Sequence, residues 1–301
     1  MKRVEILWTG GFDSTFRVSQ LSRLNVEIQP FYVCNPARQS KKNELNAINE
    51  MIEIFKGLDQ TKAKFLPLQP IPREECHDDE IILQAYRNIV KEDFIGNQYV
   101  YLSGFSRQHP GIELSVHDNV IELIQRNGAL TRIQDEDIGD IYVVDQSKTP
   151  EDLVTVFKDF SFPLVNYTKK EMRAKYKEYG LTQIMDKTWF CHTPIDDEPC
   201  GNCNPCKYTI EEGLYKRFSK KALLRYALRK SRARLIVSQP KKFAKLTKKE
   251  TKKYFNSSRK DMRKYKKFLA KDRKKYHKFR KQTSKNFVKF FKQFRKDWND
   301  F

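Results

Sequence analysis

Two stretches of this sequence carry residue types at spacings suited to chemistry. The first is I-L-W-T-G-G-F-D-S-T-F, residues 6–16, in which a short apolar run ends in Gly10 and Gly11 and passes directly to Phe12, Asp13, Ser14 and Thr15. Consecutive glycines permit a tight turn and bring backbone N–H groups against an anion with no Cβ in the way. A helix starting at once adds unsatisfied N–H donors and a partial positive charge. Thr9, Ser14 and Thr15 offer hydroxyls, and Asp13 can hold a metal ion or cap the helix. The loop has no lysine and no G-x-G-x-x-G, which sets it apart from the P-loop of NTPases and from dinucleotide sites. A Gly-Gly turn with Asp13 or Ser14 as a helix cap is the alternative that the loop alone leaves open.

The second stretch is C-H-T-P-I-D-D-E-P-C-G-N-C-N-P-C, which places Cys191, Cys200, Cys203 and Cys206 within sixteen residues and includes two C-x-x-C steps. Four thiolates so spaced can wrap one tetrahedral Zn²⁺ in a closed structural site. An iron–sulfur cluster is the rival occupant, and disulfides would require an oxidising compartment. His192 is a ligand by type, but four thiolates complete a shell, so it is expected to stand aside. Cys34 and Cys76 are solitary.

The elements that must hold these residues are suggested by hydrophobic periodicity. Strands are expected at 4–8, 26–34, 62–68, 98–105 and 141–147, with Pro30 unusual inside the second. Helices are expected after Asp13, at 43–58 with Gly57 as a stop, at 78–94 and 115–127, from Pro150–Glu151, and from Thr168 to Gly180. Thr168 and Glu171 have the spacing of a capping box. Strands separated by helices of this length predict an α/β fold with a parallel sheet and helices on both faces. Ligands of such sheets bind beyond the carboxyl ends of the strands, where residues 9–15 fall.

With these elements in place, T-G-G-F-D-S resembles the S-G-G-x-D-S signature of the PP-loop ATP pyrophosphatases, Thr9 keeping the hydroxyl of the serine. T-W-F-C-H-T-P-I-D-D-E-P-C-G-N-C-N-P-C and F-P-L-V-N-Y-T-K-K-E-M (162–172) are similar to segments of the 7-cyano-7-deazaguanine synthase family, in the family's order, over about residues 1–215. The resemblance implies a Rossmann-like PP-loop (HUP) fold and a loop that grips the pyrophosphate end of ATP. Thr9, Gly10, Gly11, Phe12, Asp13, Ser14 and Thr15 would then bind ATP·Mg²⁺. Lys169 would supply the phosphate lysine missing from the loop, with Asp13 and Ser14 beside it in the reaction. The zinc would be structural. The reaction implied is adenylation of a carboxylate such as 7-carboxy-7-deazaguanine, followed by attack of ammonia and conversion of the amide to a nitrile.

The match thins in two places. The family's Gly-Gln-Arg-His segment corresponds here to P-A-R-Q-S-K-K-N-E-L-N-A; Glu44 fits, while Arg38, Lys41 or Lys42 stands in for the basic function. Its substrate-binding segment is only echoed near 103–113, by Ser103, Gly104, Arg107 and Pro110, with His109 either catalytic or structural. ATP activation is therefore expected more firmly than the substrate. A repurposed enzyme acting on a tRNA base or a protein amine, and a non-catalytic nucleotide- or nucleic-acid-binding protein, are the alternatives.

Charge divides the chain. Residues 1–219 hold 27 Lys/Arg against 33 Asp/Glu, whereas residues 220–301 hold 32 against 5, a net of +27. Aromatic residues recur there at helical spacing: Met262, Tyr265, Leu269, Tyr276 and Phe279, then Phe287, Phe290, Phe294, Trp298 and Phe301. The pattern is that of a basic amphipathic helix, which packs on the body or a second copy, binds nucleic acid or an acidic protein, or lies on an anionic membrane. The organisation expected is an ATP-binding domain over 1–186, a zinc segment over 187–218 and a basic helical extension over 219–301. Neither a signal peptide nor a run of membrane-spanning length is evident, so a cytoplasmic enzyme is expected.

Overall fold

The computed structural model describes residues 1–77, 79–116 and 119–230. The aromatic pattern of the basic extension falls beyond residue 230, outside the described residues. The chain divides into two compact units, Met1–Pro199 and a second beginning at Cys200.

The first unit begins with β1 (Lys2–Leu7), α1 (Phe12–Leu21), β2 (Val26–Cys34) and α2 (Lys41–Lys56). Two short strands follow, β3 (Lys64–Phe65) and β4 (Gln69–Pro72), then helices α3 (Glu80–Glu92) and α4 (Gln98–Ser106). β5 (Ile112–Glu113) and α5 (Asn119–Asn127) lead into a hairpin of β6 (Leu130–Asp135) and β7 (Gly139–Val144). The unit ends with α6 (Glu151–Phe157), β8 (Phe160–Ser161), α7 (Lys169–Glu178) and α8 (Thr182–Lys187). The second unit contains α9 (Asn204–Glu211) and α10 (Lys220–Lys230).

The central sheet is parallel, in the order β3-β2-β1-β5-β8, with β4 also beside β2. Its side chains alternate between two cores. Val4, Ile6, Val26 and Ile28 pack with Phe16, Ile48, Met51, Met172 and Ile184 of α1, α2, α7 and α8. Leu7 and Phe31 point the other way, into a core with Ile82, Tyr99, Phe105, Ile124 and Phe157. Helices thus cover both faces, as expected of a buried parallel sheet. β1 is flanked by β2 on one side and by the much later β5 on the other, so the strand order reverses beside β1, the place where such sheets open a crevice.

Pro30 is accommodated by a break in pairing. β3 pairs with Glu27 and Ile28 and β4 with Phe31 to Cys34, so the missing N–H of Pro30 falls between the two partners. The Gln29 side chain bridges the gap by donating to the Pro67 carbonyl at 2.9 Å.

One expected strand is corrected, and another forms outside the parallel sheet. Residues 98–105 are helical, as α4, and the place beside β1 is taken by Ile112–Glu113. Tyr99, Val100, Tyr101, Ser103, Gly104, Phe105 and Ser106 are all buried; a helix apolar on every side has the same residue pattern as a buried strand. The expected strand at 141–147 exists as β7, but it pairs antiparallel with β6 in a separate two-stranded sheet. The other helices form close to their expected places, and Thr168 and Glu171 make a complete capping box.

One ion pair ties these layers together. Arg17 of α1 donates from Nε and Nη2 to the two carboxylate oxygens of Glu113 in β5, at 2.8 and 2.6 Å, and both side chains are buried. The guanidinium also donates to the Ile138 carbonyl at 3.3 Å, reaching the β6–β7 turn. Arg17→Ala would strand the Glu113 charge in the interior, so it is expected to cost about 3–5 kcal/mol of stability in urea unfolding.

Candidate functional site

The Gly-Gly loop leaves the end of β1 at the strand-order reversal. Trp8 extends the ladder by donating to the Phe31 carbonyl at 2.8 Å, and its indole N–H donates to Thr15 Oγ1 at 2.9 Å. Gly10 then turns through φ +68°. A Cβ there would lie 3.2 Å from the Glu44 carbonyl and 3.2 Å from the Ile48 side chain, so both conformation and space require glycine. Gly11 takes the cap position of α1 in an extended conformation. No side chain caps this helix, so Asp13 and Ser14 are not its caps, and the anion-attracting end of α1 keeps its first-turn donors.

The loop opens on a cleft of about 730 Å³. Thr9, Gly11, Phe12, Asp13 and Ser14 line its base, and Tyr32, Asn35, Arg38 and Glu44 line the side formed by the end of β2 and the start of α2. The opposite side presents Asn97, Gln98, Tyr101, Ser115 and Val116, with His192 and Thr193 at the edge. A second hollow of about 870 Å³ lies among Gln20, Arg23, Lys62 and the β6–β7 turn; the loop residues do not line it.

Glu44 is buried, and its carboxylate accepts from Tyr32 Oη at 2.7 Å, Ser40 Oγ at 2.7 Å and Arg38 Nε at 2.9 Å. Burial, reinforced by the Glu44 charge, raises the Tyr32 phenol well above its ordinary range, so it remains a donor at any physiological pH. Glu44 is therefore fully engaged in holding Arg38 at the cleft wall. A single buried acid with three donors positions a cation more rigidly than a surface pair would.

Lys169 opens α7 directly after the Thr168 cap. Its ammonium pairs with the Asp13 carboxylate and lies 5.3 Å from the centre of the Phe12 ring. Phe12 in turn packs against Tyr176, ring centres 5.4 Å apart, which seats α7 on the loop. The fold thus brings a lysine 156 residues distant in sequence to the loop that lacks one. Among the sequence-derived residues, Gly10, Thr15 and Lys169 do not line the cleft: Gly10 shapes the turn, Thr15 is buried under Trp8, and Lys169 stands beside Asp13. His109 also lies outside it, bonded to Glu5 at 2.7 Å and packed against Phe31 and Phe105. Tyr32, Ser40, Asn97, Gln98 and Ser115 had no motif to mark them.

The segment after α8 supports the loop. The Trp189 N–H donates to the Gly10 carbonyl at 2.7 Å, and the Trp189 indole N–H donates to the Cys191 carbonyl at 2.7 Å. The sulfurs of Cys191, Cys200, Cys203 and Cys206 lie within 4.8 Å of one another. Cys200 and Cys206 sulfurs are 3.8 Å apart, far beyond a disulfide bond, and ligands about 2.3 Å from one tetrahedral Zn²⁺ would be spaced about as widely. Backbone N–H groups of Asn202 and Cys203 each donate to Cys200 Sγ at 3.2 Å, which fixes the direction of that sulfur. Gly201 makes that turn possible: its φ is +69°, and a Cβ would meet the Ala222 carbonyl oxygen at 2.0 Å. The donor set fits a structural metal such as zinc, and His192 is exposed and outside the sulfur group.

Compared with known protein families and with curated proteins, the chain matches none.

Two outcomes are expected. Purified protein should carry close to one zinc per chain by elemental analysis, and Cys200→Ser should lose most of it together with thermal stability. Gly10→Ala, strained by its positive φ, should lower stability by about 1–2 kcal/mol in denaturant unfolding.

Proposed function

We propose that this chain is an ATP-dependent enzyme that activates a carboxylate by adenylation, in the manner of the 7-cyano-7-deazaguanine synthases its motifs resemble. The observation that carries the proposal is the meeting of Lys169 with Asp13 on an uncapped Gly-Gly loop at the strand-order reversal. Chain-distant Lys169 completes the charge that the loop lacks for holding a triphosphate. The strand order supports the finer assignment of the first unit to the Rossmann-like PP-loop (HUP) class.

In the proposed reaction a carboxylate oxygen of the substrate attacks the α-phosphorus of ATP and pyrophosphate leaves. Ammonia then attacks the acyl carbon and AMP departs, forming an amide. The amide oxygen next attacks the α-phosphorus of a second ATP with loss of pyrophosphate, and AMP departs with that oxygen as the two N–H protons are lost, leaving the nitrile. The protein's contribution is positioning and charge neutralisation. Loop N–H groups, Thr9 and Ser14 would hold the phosphates, with Lys169 and Arg38 supplying cations from either side. Asp13 is the residue suited to hold Mg²⁺, which would neutralise phosphate charge, and Lys169 would then turn from Asp13 to the phosphates. The cysteine cluster has no part in the chemistry. It would fix the segment whose Trp189 anchors the loop. A cytoplasmic setting belongs to the proposal; among the described residues no helix is long and apolar enough to cross a membrane.

The test is exchange of labelled pyrophosphate into ATP in the presence of 7-carboxy-7-deazaguanine. Exchange that requires the acid supports the reading, and Lys169→Gln should lower it by roughly 100-fold with unfolding unchanged. If neither this acid nor any other carboxylate elicits exchange, the adenylation reading fails.

A further inference from the structure

The hairpin of β6 and β7 has one edge that pairs with nothing among the described residues. On the β7 side, the Tyr142 N–H donates to the Phe162 carbonyl at 3.1 Å, and the Phe162 N–H donates to the Tyr142 carbonyl at 2.7 Å. Both backbone groups of Tyr142 therefore face away from β6, so Tyr142 and its opposite number Arg132 share no hydrogen bond. The N–H and C=O of Arg132 must then point outward from the hairpin. By the two-residue period of a strand, so do those of Leu130 and Gln134.

An open edge is normally kept short, or blocked by proline, lysine or a bulge. The central sheet follows that rule, since its outer strands β3 and β8 have two residues each. β6 does not. It runs for six residues, L-T-R-I-Q-D, without proline, lysine or a break in register. Thr131, Arg132, Ile133 and Gln134 are all exposed, so the approach is clear. The charge of Arg132 is already met by Asp140 of β7 at 2.7 Å. Ile133 is 41% exposed and stands opposite Ile141, which packs on the core that contains Phe16 and Ile48.

Register decides which strand fits this edge. Laid antiparallel on a second copy of itself, β6 can bond only where the outward-facing residues 130, 132 and 134 meet one another. Centred on Arg132, the pairing would set two guanidinium groups directly opposite, which is destabilising. Centred on Ile133, it sets Arg132 against Gln134 twice, and each pair exchanges both backbone bonds. The two Ile133 side chains then face each other in the closer, non-hydrogen-bonded position and extend the row that begins at Ile141. No like charges meet, and Thr131 falls opposite Asp135. Centres nearer either end run off the strand.

We infer that the chain self-associates through this edge, two copies pairing β6 to β6 antiparallel about Ile133 to give a continuous sheet β7-β6-β6-β7. The inference is independent of the carboxylate-activation reading. Contact between two strands of this length is small among specific interfaces, so the pair should dissociate on dilution.

The experiment compares the full chain carrying Ile133→Cys with one carrying Thr131→Cys under oxidised glutathione, the unsubstituted chain serving as control for the native cysteines. Residues facing each other in a non-hydrogen-bonded pair have Cα atoms about 4.5 Å apart, inside the roughly 4.4–6.8 Å that a disulfide spans. The two Thr131 positions would lie roughly 14 Å apart along the strands. Ile133→Cys should therefore form a covalent dimer at least about tenfold faster than Thr131→Cys. Analytical ultracentrifugation of the unsubstituted chain should show the mass climbing from one chain towards two as concentration rises. Gln134→Pro should hold it at one chain, because it deletes an outward N–H that β7 does not use and so spares the hairpin. Ile133→Lys should do the same by setting like charges opposite each other. Circular dichroism and thermal unfolding check that both variants keep the fold. The inference is overturned if the unsubstituted chain stays at one chain's mass at every concentration, or if Ile133→Cys crosslinks no faster than Thr131→Cys. Dimers of folded Gln134→Pro and Ile133→Lys would also overturn it, assigning self-association to another surface.

Discussion

The arrangement of the first unit depends on one buried charge pair. Arg17 sits one turn into α1, directly after the glycine loop, and its guanidinium is locked to Glu113 on β5 and to the Ile138 carbonyl. Burying two charges is expensive, and the cost is offset only when every donor and acceptor is satisfied in good geometry. The pair therefore tolerates little displacement of the helix over the sheet. That rigidity passes to the loop, because the chain between Leu7 and Phe12 must span from the end of β1 to a helix whose position is already set.

The loop is then constrained from three further directions. Gly10 is wedged against the backbone of α2, its carbonyl is held by Trp189, and Phe12 is pressed onto α7 by Tyr176. A backbone so held can present N–H groups with no reorganisation when an anion arrives, which is the physical advantage of building such a site at a strand end. Glu44 does the equivalent for Arg38: its three donors consume the carboxylate and leave the cation at the cleft wall. Both devices use buried polar groups to fix exposed ones.

The helix read as a strand and the strand found outside the parallel sheet share one cause. Q-Y-V-Y-L-S-G-F and I-Y-V-V-D-Q-S are short apolar runs rich in β-formers, and sequence periodicity cannot say what surrounds them. The first is a buried helix packed against α3, α6 and Phe31 of β2; the second pairs locally with Leu130–Asp135 in a hairpin. Pro30 shows the converse. It argued against a strand, and a change of pairing partner beside it removed the penalty.

Some of this protein was decided by sequence alone, wherever the relevant physics is local. Glycines before a helix start, a Thr168–Glu171 box and closely spaced cysteines act over a few residues, and each appears in the structure as its spacing predicts. The alternation of strands and helices likewise sufficed for a parallel α/β sheet. Only the tertiary structure decided which distant groups meet. Arg17 finds Glu113 across 96 residues and the carboxylate of Glu44 is spent on Tyr32, Ser40 and Arg38; the ion pair of Asp13 with Lys169 across 156 residues was foreshadowed by resemblance, not by any local pattern. These are contacts of packed layers, and a charge or hydroxyl in sequence carries no mark of the partner that burial will oblige it to take.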